Sequence, residues 1–122
     1  MKSFNVLIVD DSAAMRSLLV STLESLGSLR IVEAPNGFEA LRMLPREQID
    51  LVLTDINMPD INGLELLSFI RKNPLYKDTP VIVISTEGSS KDIEKGMALG
   101  ANEYLVKPFK PTQLIEIVKR FL

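Results

Sequence analysis

Phe4-Asn5-Val6-Leu7-Ile8-Val9-Asp10-Asp11-Ser12 decides how this chain reads. A nearly continuous apolar run, rich in branched residues, stops at two carboxylates and a hydroxyl. A strand with one face in water alternates apolar and polar residues; a continuous run belongs to a sheet covered on both faces. Four shorter runs follow at Leu29–Glu33, Leu51–Thr54, Val81–Ile84 and Glu103–Val106, and several of the five are branched and nearly continuous.

Between the runs the period changes to that of a helix. Met15, Leu18, Leu19, Thr22, Leu23 and Leu26 form one stripe that Gly27 ends. Asn36 with Glu39 three residues on resembles a capping box; Leu41 and Leu44 then face inward, and Pro45 closes the segment. A third helix starts near Asn62-Gly63, carries Leu64, Leu67 and Ile70, and ends at Asn73-Pro74. A fourth follows Gly88-Ser89-Ser90 with Ile93, Met97 and Ala98 inward and stops at Gly100. The fifth opens at Lys110-Pro111-Thr112, where proline fits a first turn, and carries Leu114, Ile117, Val118 and Leu122. The order is strand then helix, five times over. That alternation predicts an α/β fold: a doubly wound, five-stranded parallel sheet flanked by helices on both sides.

The chain has 122 residues, the size of one domain, so residues 1–122 read as a single unit with no output domain attached. With 46% hydrophobic and 25% charged residues it is expected to fold rather than stay disordered. A net charge of −2 does not suggest a nucleic-acid binder, which usually shows a basic face. There is no cysteine and no histidine, which excludes disulfides, thiol or histidine nucleophiles and Cys/His metal sites. No apolar run approaches a membrane span, and Met1-Lys2-Ser3-Phe4-Asn5 has no signal-peptide character. The expected compartment is the cytoplasm.

Open α/β sheets bind ligands beyond the carboxyl ends of their strands. There the sequence places Asp10-Asp11-Ser12, Asp55-Ile56-Asn57-Met58-Pro59, Ser85-Thr86-Glu87-Gly88 and Lys107-Pro108. Each has a plain structural reading: Asp10-Asp11-Ser12 as a turn and helix cap, Asp55 as a solvated loop residue, Ser85 as a polar strand end, Lys107 as a surface lysine. The joint placement says more. Two carboxylates ~5 Å apart repel by about 3 kcal/mol at an effective dielectric of 20, so Asp10, Asp11 and Asp55 together call for a cation. Hard oxygen donors without soft ones suit Mg²⁺ best, with Mn²⁺ as the substitute. Ser85 and Lys107 are then a hydroxyl and a point charge for a phosphoryl group. Pro108 either only restricts the backbone or forms a cis peptide, one way to aim Lys107 back over the strands. Tyr104, mid-strand, reads most simply as packing.

Three functions share this outline. A flavin-mononucleotide module needs a donor-rich phosphate loop after the first strand, where Asp10-Asp11 would repel a phosphate. A metal-dependent aspartyl phosphatase of the haloacid-dehalogenase type carries an acid two residues after its nucleophile, where this chain has Asn57, which cannot protonate a leaving group. A phosphoryl acceptor built on Asp55 needs neither.

Val9-Asp10-Asp11-Ser12, Thr54-Asp55-Ile56-Asn57-Met58-Pro59-Asp60-Ile61-Asn62-Gly63, Ser85-Thr86 and Val106-Lys107-Pro108-Phe109 resemble, in order and along the whole chain, the signature of response-regulator receiver domains, most of all stand-alone CheY-like chemotaxis regulators. The resemblance implies the flavodoxin-like strand order 2-1-3-4-5, for which CheY is itself a standard example. It implies Asp55 as phosphoacceptor from a partner histidine kinase, and Mg²⁺ held by Asp11, Asp55 and the Asn57 backbone carbonyl, with Asp10 acting through water. Lys107 would pair with the phosphoryl oxygens. Ser85 would move toward them and Tyr104 would swing inward, altering the face formed by the fourth helix, fifth strand and fifth helix. Asn57 and Glu87 would modulate hydrolysis and Thr86 the access of water; Ser85 and Thr86 stand where Thr and Ala are commoner. The implied role is signalling rather than enzymatic, limited to self-phosphorylation and self-dephosphorylation. Its output would be a contact with a flagellar-motor switch component or a phosphorelay protein, with neither nucleic acid nor membrane involved.

Overall fold

The computed structural model describes residues 3–122. Met1 and Lys2, which begin the segment read as lacking a leader, lie outside the described residues. The elements are β1 (Phe4–Val9), α1 (Ala13–Glu24), β2 (Leu29–Ala34), α2 (Gly37–Met43), β3 (Leu51–Thr54), α3 (Gly63–Lys72), β4 (Val81–Ser85), α4 (Ser90–Ala98), β5 (Glu103–Val106) and α5 (Pro111–Lys119). All strands pair in parallel in the order β2-β1-β3-β4-β5.

Successive strand residues point to opposite faces, so each apolar run feeds two cores. Leu7, Val9, Val52, Val81 and Val83 pack with Ala40, Leu44, Leu66, Leu67 and Ile70 on the α2–α3 side. Val6, Ile8, Leu51, Leu53, Ile82 and Ile84 pack with Leu19, Leu23, Leu114 and Val118 on the α1–α5 side. This is why β1, β3 and β4 read as continuous: they are interior strands, buried on both sides. β2 and β5 are edges and only partly buried, and their runs are the ones that carry the charged residues Arg30, Glu33 and Glu103. Exposed Arg30 of β2 pairs at 2.6 Å with Glu47, dressing that edge with charge.

The helix starts follow their caps. Ser12, Asn36, Asn62 and Ser89 each accept a backbone N–H from the first turn, and Pro111 opens α5. The inward faces differ from expectation in places. Leu18 of α1 is exposed, and α3 buries Leu66 in addition to Leu67 and Ile70 while Leu64 is half-buried. Leu122 lies beyond the end of α5 and is exposed. The largest correction is α4: Met97 and Ala98 face outward, Ile93 is half-buried, and Gly96 is the one residue of the helix that is buried. Helical period tells which residues share a face; it does not tell how closely the helix lies on the sheet.

Candidate functional site

Parallel neighbours end on the same side, and hydrogen bonds carry the sheet slightly past its strands. The Asp55 N–H donates to the Val9 carbonyl at 3.0 Å, the Asp10 N–H to Ala34 at 3.2 Å, and the Lys107 N–H to Ser85 at 2.8 Å. Asp10, Asp55 and Lys107 are therefore placed by backbone, not by flexible loops. The carboxylates of Asp10, Asp11 and Asp55 offer oxygens that all lie within 4.8 Å of one another. Asp10 and Asp55 are buried and Asp11 is exposed, so the cluster opens to solvent on one side.

The Lys107 ammonium sits 3.2 Å from Asp10 Oδ2 and 3.6 Å from Asp55 Oδ1. With the carboxylates ionised, three negative charges and one positive leave −2. That remainder matches a divalent cation, and an all-oxygen donor set in a chain without Cys or His fits Mg²⁺. Burial pushes the Asp55 carboxyl above its ordinary range and the Asp10 charge adds to this; Lys107 and the backbone N–H groups of Ile56 and Asn57 pull the other way. The Lys107–Pro108 peptide is cis.

The helix cap and the acidic pair share the first loop without conflict. Ser12 Oγ caps α1 through the Met15 N–H at 3.2 Å, while Asp10 Oδ1 accepts the Ser12 N–H at 2.9 Å and leaves Oδ2 for Lys107. Asp10 thus has a fixed orientation. Asn57 is exposed beside Asp55.

Ser85 is the last residue of β4 rather than the first beyond it, and it is fully buried. Its Oγ accepts the Glu87 N–H at 3.0 Å; it bonds neither Asp55 nor Lys107. The Glu87 carbonyl in turn accepts the Tyr104 hydroxyl at 2.5 Å. Burial raises the Tyr104 phenol above its ordinary value; the neighbouring Ser85 hydroxyl works against this, and the charges of Asp92, Glu87 and Asp55 add to it. Tyr104 is therefore more than a packing residue: Ser85, Glu87 and Tyr104 form one relay from the strand ends to α4, with Thr86 exposed above it.

Several contributors were not legible beforehand. Arg16 donates to the Asp10 carbonyl at 2.7 Å and reaches Glu33 at 3.3 Å, tying the acidic loop to β2. Its place one turn after the Ser12 cap was the available signal. Gly63 lies against Asp55: a Cβ there would stand 2.8 Å from the Asp55 carbonyl carbon and closer to its oxygen. A Cβ on Gly96 would stand 3.0 Å from two Tyr104 ring carbons. Asp60 adopts φ 67°, the left-handed region, in the turn that leads from Asp55 to α3. Glycines and turn residues announce a close approach or a bend, but not to what.

The sequence profile of the response regulator receiver domain matches residues 6–119. A chemotaxis protein CheY homologue of Campylobacter jejuni is 41% identical over 112 residues, covering 91% of this chain and 86% of that protein. The structure of Vibrio cholerae chemotaxis protein CheY4 superposes with a TM-score of 0.91 at 36% identity, over 99% of this chain and all of that one. The receiver domain of a Pseudomonas aeruginosa sensor histidine kinase, solved with a magnesium ion in its active-site cleft, superposes with a TM-score of 0.87 at 28% identity, over 98% of each chain.

Proposed function

Because this chain belongs to the response-regulator receiver domains, of the CheY-like kind, we propose that it is a Mg²⁺-dependent phosphoacceptor switch with Asp55 as the acceptor. The observation that carries the assignment is the buried Asp10–Lys107–Asp55 arrangement. It holds an ammonium beside a carboxylate at the strand ends while leaving a net negative cluster open on one side.

An Asp55 oxygen attacks the phosphorus of a phosphohistidine on a partner kinase. The P–O bond forms as the P–N bond breaks, and the electron pair returns to the imidazole nitrogen. With acetyl phosphate the same attack releases acetate. Lys107 gives its ammonium to the phosphoryl oxygens, and Ser85 turns its hydroxyl toward them. Asp11, Asp55 and the Asn57 carbonyl would hold Mg²⁺, with Asp10 acting through water. When bound, the ion supplies charge neutralisation at the phosphoryl oxygens. Hydrolysis reverses the modification: water adds to phosphorus, phosphate leaves and the carboxylate is restored. Asn57, Thr86 and Glu87 border the route for that water and set its rate.

The relay Ser85–Glu87–Tyr104 supports the switching part of the reading. Withdrawing the Ser85 hydroxyl from the Glu87 N–H changes the loop whose carbonyl holds Tyr104, and Tyr104 packs on α4 at Gly96. The face formed by α4, β5 and α5 then presents the state to a target. The chemotaxis names of its CheY relatives support a chemotaxis pathway, and the target in this reading is a flagellar-motor switch component. No helix among the described residues is long and apolar enough to cross a membrane.

The test is intact mass after incubation with acetyl phosphate, with and without Mg²⁺, on wild type and Asp55→Asn. One added phosphoryl group that requires both Mg²⁺ and Asp55 is the expected result. Labelling of Asp55→Asn to the same extent would overturn the assignment.

A further inference from the structure

We propose that the groove between α3 and α4 docks an acidic amphipathic segment of a partner protein. This surface lies apart from the strand-end site and from the α4–β5–α5 face. It measures about 470 Å³. Leu64 and Phe69 from α3 and Leu99, the residue that caps the end of α4, are its apolar members, and Phe69 is 45% exposed. Lys72 of α3 and Lys95 of α4 supply positive charge from both helices. Lys91, four residues before Lys95 on the same helix row, extends that edge.

The lining of the groove carries two lysines against one carboxylate. Among the described residues, Lys72, Lys91 and Lys95 take part in no ion pair. The one acidic lining residue is Glu65, whose carboxylate accepts the Asn62 N–H at 3.0 Å in the box that caps α3. Three apolar residues set between Lys72 and Lys95, on a chain of net charge −2, make a local feature rather than a general excess of lysine. It selects apolar side chains flanked by carboxylates.

The experiment is an NMR titration of the unphosphorylated, isotope-labelled protein, so that it stands whether or not Asp55 is the acceptor. The probe is a short synthetic peptide of Leu, Phe, Asp and Glu with its apolar residues on one helical face. A counterpart with Lys in place of Asp and Glu is the control. The acidic peptide should shift the amides around Leu64, Phe69 and Leu99, with binding that weakens as salt rises. Lys72→Gln/Lys95→Gln should weaken it roughly tenfold, as loss of two partly exposed charge contacts does. Phe69→Ser, at an exposed position, should weaken it without loss of fold. Absence of shifts, equal binding of the basic peptide, shifts confined to β5 and α5, or binding to anionic vesicles in place of the peptide would each overturn the proposal.

Discussion

Asp55 is held in an environment that disfavours its charge. Its carboxyl is raised mainly by burial and further by Asp10. A carboxyl raised in the folded state contributes stability that is full below its unfolded pKa and lost as pH rises through the folded value. Asp55→Asn removes that loss. In EDTA at neutral pH the variant should melt above wild type, and the gap should close as pH falls into the carboxylate range. A gap that widens on acidification would show that burial is not the dominant influence. Gly63 makes a second residue-scale point. Its absent Cβ is what lets α3 start on the Asp55 carbonyl, and Gly63→Ala meets backbone rather than a movable side chain. About 3 kcal/mol should be lost in urea unfolding, the upper end of overpacking costs. Acetyl phosphate labelling should slow as Asp55 is displaced.

At the scale of elements, α4 is fastened at its two ends more than along its length. At its C-terminal end Arg71 of α3 donates to the carbonyls of Gly100 at 3.0 Å and Thr79 at 2.6 Å and to Asn102 Oδ1 at 2.8 Å. Asn102 Oδ1 also takes the Val81 N–H at 2.9 Å, so one guanidinium joins α3, β4 and the turn into β5. Arg71→Met keeps the stem and removes the bonds. It should cost about 3 kcal/mol, since hydrogen bonds to a charged group are worth about 1.5–3 kcal/mol and are not additive. Amide exchange should rise first at 99–102 and in α4; uniform acceleration across the sheet would argue against a local clamp. Near its middle, α4 meets Tyr104 only where Gly96 allows. Gly96→Ala should push the ring off and free its hydroxyl from the Glu87 carbonyl. The Tyr104 ring signals should then report a new environment while the sheet amides stay in place.

For the whole molecule, the acidic cluster is where electrostatics and folding meet. Three carboxylates and one ammonium converge only in the folded chain, so a divalent ion that binds them stabilises the fold by mass action. At a hundred times its dissociation constant the gain is about 2.7 kcal/mol. Wild type should therefore melt several degrees higher with excess Mg²⁺, roughly 2–8 °C per kcal/mol depending on domain size. Asp11→Ala should lose that rise while its Mg²⁺-free melting stays close to wild type, because Asp11 is exposed and outside both cores. An unchanged Mg²⁺ response in Asp11→Ala would place the ion elsewhere.

The sequence by itself determined the alternation of strand and helix and the polar residues that end each strand. Runs buried on both faces leave a signal that one-sided strands do not, and caps such as Ser12, Asn62 and Ser89 announce their helices locally. The resemblance carried by Asp10-Asp11, Asp55, Ser85 and Lys107 added the strand order. The rest depends on residues far apart in the chain that meet only on folding. The convergence of Lys107 with Asp10 and Asp55 spans almost the whole sequence. Arg16 on the Asp10 carbonyl, Gly63 on Asp55 and Tyr104 over Gly96 are contacts whose partners no local pattern names. The outward turn of Met97 and the edge exposure of β2 and β5 belong here too. Periodicity fixes which side chains share a face, but only the packing of neighbours fixes whether that face is covered.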